Sequence, residues 1–184
     1  MTQFKESPSQ TAGPYVHIGC TPTACGLEKR GFGEEFGTSM FNESYKGDRI
    51  LLDVQIFDGA GDPVKDGLVE IWQSGPNGQF HGTKGFENWG RQATHYETGR
   101  VGFETLKPGK QFHQSPHILV WIAARGINLG LMTRIYFEDE DNSYDPVFQL
   151  SGSRASTLVA KKTETGYTHE IYLQGDKETV FFDV

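Results

Sequence analysis

Ile50, Leu52, Val54 and Ile56 alternate with Leu51, Asp53, Gln55 and Phe57, and the run stops in Asp58-Gly59-Ala60-Gly61-Asp62-Pro63. A period of two sends alternate side chains to opposite faces of an extended strand, and Gly, Asp and Pro in a cluster make a turn. The segment therefore predicts a strand running into a hairpin. Similar patterns predict strands over 67–73, 101–106, 117–123, 132–137, 157–161, 167–173 and 179–182, with Gly-rich turns between them. This spacing is that of an all-β fold: an antiparallel β-sandwich with long connecting loops and an extended N-terminal segment. One short helix is predicted over 145–150, with Asp145 as N-cap and Pro146 at the first helical position, and a further turn over 34–41.

At 184 residues the chain fits one domain, 1–184. The first 45 residues lack a strand pattern, so 1–48 is expected to be an arm that wraps the sandwich or a partner chain. Residues 73–99 have little alternation, and such a long excursion on a rigid sandwich usually carries function or an interface.

A formal charge of −7 and a pI near 5.3, with no basic run, exclude a phosphate-neutralising surface for nucleic acid. An anionic substrate would need a local basic group such as Arg134, because the field of the whole protein does not attract it. The first twenty residues hold Lys5, Glu6 and two prolines and no apolar signal region, and the longest apolar run, 118–124, falls short of a membrane span. The expectation is a soluble, cytoplasmic chain in which Cys20 and Cys25 stay as free thiols rather than forming a disulfide or half a metal site.

Six histidines pose the metal question. His113 and His117 are four apart but straddle a predicted loop-to-strand boundary, where helical i, i+4 geometry does not apply. His117 opens an apolar strand, the usual place of a hydrogen-bonded structural histidine. His17, His81, His95 and His169 are dispersed, and neither a phosphate-binding glycine loop nor Gly-x-Ser-x-Gly is present. From the residues alone, Arg134 would pair with Glu138, Asp139 or Glu140, Tyr15 would be an anchoring aromatic, and Trp72, Trp89 and Trp121 would pack in the core or at an interface. The loop Arg125-Gly126-Ile127-Asn128 would shape the fold or an interface.

Three stretches add to this: Ser9-Gln10-Thr11-Ala12-Gly13-Pro14-Tyr15-Val16-His17-Ile18-Gly19, Ala124 through Phe137 with its Thr133-Arg134-Ile135-Tyr136-Phe137, and Val180-Phe181-Phe182-Asp183-Val184. Together they resemble the intradiol ring-cleavage dioxygenases, and within that family the α chains that accompany an iron-bearing β chain. The resemblance spans roughly residues 7–184. Catalytic chains of the family hold ferric iron with two tyrosines and two histidines, the histidines forming a His-x-His triplet on a strand. Here the triplet is His117-Ile118-Leu119, Phe80 stands at the first tyrosine position and Gln111 at the second. His117 is retained and the other ligand positions are degenerate, so the resemblance implies no metal in this chain and ferric iron in the partner β subunit.

The resemblance further implies a hetero-oligomer of αβ units. Its substrates would be protocatechuate and O2, cleaved to 3-carboxy-cis,cis-muconate in the β-ketoadipate route of aromatic catabolism. No catalytic residue is expected in this chain. Thr11, Gly13, Pro14, Tyr15 and Arg134 are implied to line the partner's pocket. Gly13 permits close backbone approach and Pro14 fixes its direction, Tyr15 offers a ring face to an aromatic, and Arg134 offers a charged fork to a carboxylate. The alternatives are a non-catalytic β-sandwich that binds a ligand or partner, and a zinc protein using Cys20, Cys25 and His113/His117.

Overall fold

The computed structural model describes residues 8–27 and 35–183. Part of the predicted arm and of the 34–41 turn lies outside them. Within them run α1 (Pro14–Cys20), β1 (Ile50–Phe57), β2 (Leu68–Gln73), β3 (Trp89–Ala93), β4 (Arg100–Thr105), β5 (His117–Ala123), β6 (Leu131–Phe137), α2 (Pro146–Leu150), β7 (Val159–Lys162) and β8 (Gly166–Tyr172). Short 3-10 turns occupy Thr23–Cys25 and Gly152–Leu158.

The strands follow the order β3-β2-β5-β6-β7-β8-β1-β4, one nearly closed sheet whose two halves enclose the core. Leu52, Val54 and Ile56 of β1 are fully buried in one cluster with Ile71 of β2, Ile122 of β5, Ile135 of β6 and Ile171 of β8. Each such side chain withdrawn from water contributes about 1.5–3 kcal/mol, which is why the period-two pattern dictates which face turns inward. The fold is all-β as expected. Its ladders are antiparallel except β1–β8 and β6–β7, which run parallel.

The predicted hairpin is corrected. The turn after β1 does form: Asp58 Oδ1 accepts from the amides of Ala60 and Asp62, both at 2.9 Å, and the Val64 amide returns to the Ile56 carbonyl at 2.9 Å. Both edges of β1 are already taken by β4 and β8, so β2 crosses to the other half and pairs with β3 and β5. The excursion 73–99 contains a strand that its sequence does not announce, β3. The N-terminal segment is not extended throughout, because Pro14 opens a helix behind an extended Gly13. The expected strand over 157–161 begins only at Val159, and the one over 179–182 reduces to a single bridge, with the Phe182 amide on the Met132 carbonyl at 2.8 Å.

Helix α2 matches its prediction. Asp145 Oδ1 accepts from the amides of Val147 (2.8 Å) and Phe148 (3.2 Å), and Pro146 follows it. Among the described residues no helix is long and apolar enough to cross a membrane.

Candidate functional site

The outer face of β5 and β6 carries His117, Leu119 and Trp121 opposite Tyr136, Arg134 and Met132, residue for residue. Trp72 of β2 is the next neighbour of Leu119, and Trp89 of β3 stands 5.7 Å from Trp72, ring centre to ring centre. Trp72 is 44% exposed, and Trp89 and Trp121 are half-buried, so none of the three tryptophans is a core residue.

At one end of this face α2 closes over the strands. Phe148 packs edge-on against Tyr136, and Tyr136 lies 5.7 Å from the His117 ring. Buried Asp145 links the two parts: besides capping α2, its Oδ2 accepts from the Ser115 amide at 2.9 Å. The carbonyl of Ser115 meets His117 Nδ1 at 2.8 Å, which makes His117 the hydrogen-bonded strand histidine that its sequence context suggests. Burial, and secondarily the Arg134 charge, lower its basicity. Burial pushes the Tyr136 phenol up to about 12, against the opposing pull of Arg134. At neutral pH the cluster is a neutral imidazole, a protonated phenol and one cation.

That cation is Arg134. Its Nη1 donates to Gln114 Oε1 at 3.0 Å and to Tyr136 Oη at 3.2 Å. The carboxylates offered as partners by sequence proximity are engaged elsewhere. Asp139 binds Lys107 and Lys162, Glu140 binds Lys107, and Glu138 accepts from the Lys162 amide. No ion pair of Arg134 forms among the described residues. Its remaining N–H groups keep the planar fork that matches a carboxylate.

The other degenerate positions gather at the same end. Gly109 donates its amide to the Gly75 carbonyl at 2.9 Å, binding the 107–111 loop to the 74–80 loop. Gln111 and Gln114 exchange backbone hydrogen bonds of 3.2 and 2.8 Å, which ties Gln111 to the residue that Arg134 holds. Phe80, 42% exposed, has no oxygen to offer. Among the described residues no group of three or more His, Cys, Asp or Glu is arranged to hold a metal ion. His113 is exposed, and Cys20 and Cys25 are free thiols.

The N-terminal motif forms a second locus. Thr11 Oγ1 accepts from the Gly126 amide at 2.7 Å and faces the Ala124 carbonyl at 3.4 Å, fastening the arm to the loop beyond β5. Arg125 in that loop pairs with Asp66 at 2.5 Å. Gly13, Pro14, Ile18, Asp66 and Arg125 help line a cavity of about 430 Å³. Tyr15 projects from α1 at 83% exposure. Arg134 is not part of this cavity: its register partner Leu119 lies five residues before Ala124, roughly 17 Å of strand. Within one chain the structure thus brings Thr11, Gly13, Pro14 and Tyr15 together and leaves Arg134 apart. Gln114, and Tyr136 as an acceptor, were missed from sequence; Tyr136 follows Arg134 by two on a strand, a spacing that places both on one face.

A family model described as Dioxygenase matches residues 29–175. The chain is 40% identical to the protocatechuate 3,4-dioxygenase alpha chain of Pseudomonas putida over 195 residues, covering 97% of this chain and 96% of that one. To the protocatechuate 3,4-dioxygenase beta chain of Burkholderia cepacia it is 31% identical over 160 residues, 72% of this chain and 67% of the other. The fold is similar to that of an intradiol ring-cleavage dioxygenase from Tetranychus urticae, with a TM-score of 0.58, 20% identity, and 73% of this chain and 83% of that one covered.

Proposed function

The chain belongs to the intradiol ring-cleavage dioxygenase family, as a subunit related to the protocatechuate 3,4-dioxygenase alpha chains, and on that premise we propose that it is a subunit without iron. It pairs with an iron-bearing β chain and lines the pocket in which protocatechuate is opened by O2 to 3-carboxy-cis,cis-muconate, a step of the β-ketoadipate route. The iron bound by the partner supplies the oxygen chemistry. This chain's residues bind and orient.

The observation that carries the reading is the make-up of the β5–β6 face. Leu119 brings no donor atom, His117 is held by Ser115, and a guanidinium with no ion pair among the described residues stands across from Leu119; Phe80, in the loop after β2, brings no donor atom either. A single neutral imidazole and an amide do not hold ferric iron. The same face suits recognition, because Arg134 can receive the carboxylate of an aromatic acid; at the second locus exposed Tyr15 offers a ring face. Thr11, Gly13 and Pro14 set the position of Tyr15. Because Arg134 and Tyr15 lie apart within the chain, the pocket wall is completed by the partner. The two free thiols agree with action in the cytoplasm.

Co-expression with a catalytic β chain tests this, using size-exclusion chromatography, iron assay and ring cleavage on the complex and on each chain alone. The expected result is activity in the complex with about one iron per αβ pair and none in this chain. Iron and activity in the isolated chain would overturn the reading. Failure to associate or to alter the β chain's activity would turn it to a non-catalytic binding protein.

A further inference from the structure

We infer that Arg134 keeps the degenerate metal position of this chain closed to cations by placing a fixed positive charge in front of His117 and Leu119, so that the position would reject metal even with a ligand restored. The inference rests on reading the chain as a subunit without iron, and adds a cause beyond missing donor atoms.

His117 and Leu119 are two apart on β5 and project from one face. Across on β6, Tyr136 stands opposite His117 and Arg134 opposite Leu119. The guanidinium does not run out to solvent. It turns back along β6 to the Tyr136 hydroxyl, 3.2 Å from Nη1, and Tyr136 lies against the His117 ring. Gln114, tied by its backbone to Gln111, takes a second hydrogen bond from the same nitrogen. The charge is therefore held by two partners, on the strand directly across from His117 and Leu119.

A permanently protonated guanidinium cannot be displaced by deprotonation as a lysine can. No carboxylate pairs with it among the described residues, and the buried carboxylate of Asp145 is spent on the amides of Ser115, Val147 and Phe148, so its field is offset only in part. A unit charge a few ångströms from a divalent ion weakens binding by at least about tenfold even where solvent screens most of the repulsion. Holding Gln114 and Tyr136 uses only Nη1, which leaves the other N–H groups for the carboxylate contact proposed above.

The test compares Leu119→His with Leu119→His/Arg134→Gln in the full chain. The first change restores two imidazoles on one strand face, and the second removes the charge while keeping an amide for Gln114 and Tyr136. Nickel(II) and cobalt(II) titrations, read by calorimetry and by the cobalt absorption bands, give the affinities; the unaltered chain is titrated alongside. The expected result is at least about tenfold tighter metal binding in the double variant, with the unaltered chain metal-free. Equal affinities in the two variants would overturn the inference and leave the iron-free reading standing. Comparable binding by the unaltered chain would overturn both. Should either variant not fold alone, the same comparison is made in complex with the catalytic partner, scoring metal bound in excess of the partner's own.

Discussion

Leu119 on β5 and Arg134 on β6 are direct register partners, so the position that lacks a ligand atom faces the residue that supplies a cation. In the assembled αβ enzyme, Arg134→Ala is expected to raise KM for protocatechuate by one to two decades with a smaller effect on kcat. Losing a charge-assisted hydrogen bond costs about 1.5–3 kcal/mol, and the proposed contact would be made to bound substrate as well as in the transition state. Arg134→Lys keeps the charge but not the fork, and should fall between. Steady-state kinetics on protocatechuate and on catechol, which has no carboxylate, check the assignment: an equal loss on both substrates would reject it.

Asp145 joins α2 to the strand that carries His117. Its buried carboxylate accepts from Val147, Phe148 and Ser115, three amides with no other acceptor among the described residues once it is gone. Asp145→Ala removes a helix cap, about 0.5–2 kcal/mol, and leaves a buried donor at Ser115 without a partner, about 1–3 kcal/mol more. A total loss of about 1.5–5 kcal/mol is expected from these two costs, read as a shift of the urea midpoint at unchanged slope. Asp145→Asn retains an acceptor oxygen and should lose less.

The contrast between α2 and β3 shows what the sequence makes legible. The signals for α2 are local: Asp145, then Pro146, then a short apolar stretch, and the helix forms within those bounds. Trp89-Gly90-Arg91-Gln92-Ala93 has no alternation, and it becomes a strand because β2 pairs with it. Arg91 binds Glu70, and Trp89 packs beside Trp72. The same distinction holds at the site. His117, Leu119 and Arg134 were legible as residues worth following, whereas the fate of the Arg134 charge was not. Glu138, Asp139 and Glu140 are near it in sequence, but Lys107 and Lys162, distant in sequence, claim them.

Gly78 lies at φ +77°, and a Cβ added there would land on the Lys110 carbonyl oxygen. This is where the 74–80 and 107–111 loops touch backbone to backbone. Gly78→Ala is expected to destabilise by at least about 1–3 kcal/mol, the usual cost of a strained backbone position, and to separate the loops. Gly102→Ala serves as the control: its added methyl would meet only Leu51 Cδ1, at 3.6 Å, and φ there is unremarkable. Chemical denaturation of the two variants should separate them clearly, and a similar midpoint for both would show that the loop contact is dispensable.

His169 is 5% exposed on β8, its Nε2 has no hydrogen-bond partner among the described residues, and burial lowers its pKa to about 4 despite the Val159 backbone and the Glu170 charge, which favour protonation. An unfolded histidine titrates near 6.5. Between those values the unfolded chain binds a proton that the folded chain refuses. Stability is therefore full above about pH 6.5, falls as the pH drops from there toward 4, and loses nothing more to this group below 4. The burial of His117 acts in the same direction. Asp139 belongs to a lower window. Burial opposes its ionisation, but hydrogen bonds from Lys107, Lys162 and Tyr167 outweigh it and hold the carboxyl to about 2, so its contribution is lost only below about pH 4. The folded chain should thus lose on the order of 2 kcal/mol to His169 between pH 7.5 and 4.5. Urea midpoints at the two pH values measure the loss. In His169→Gln the baseline falls, but the difference between the two pH values should shrink, because the variant has no proton to refuse. An undiminished difference would assign the acid sensitivity to other groups.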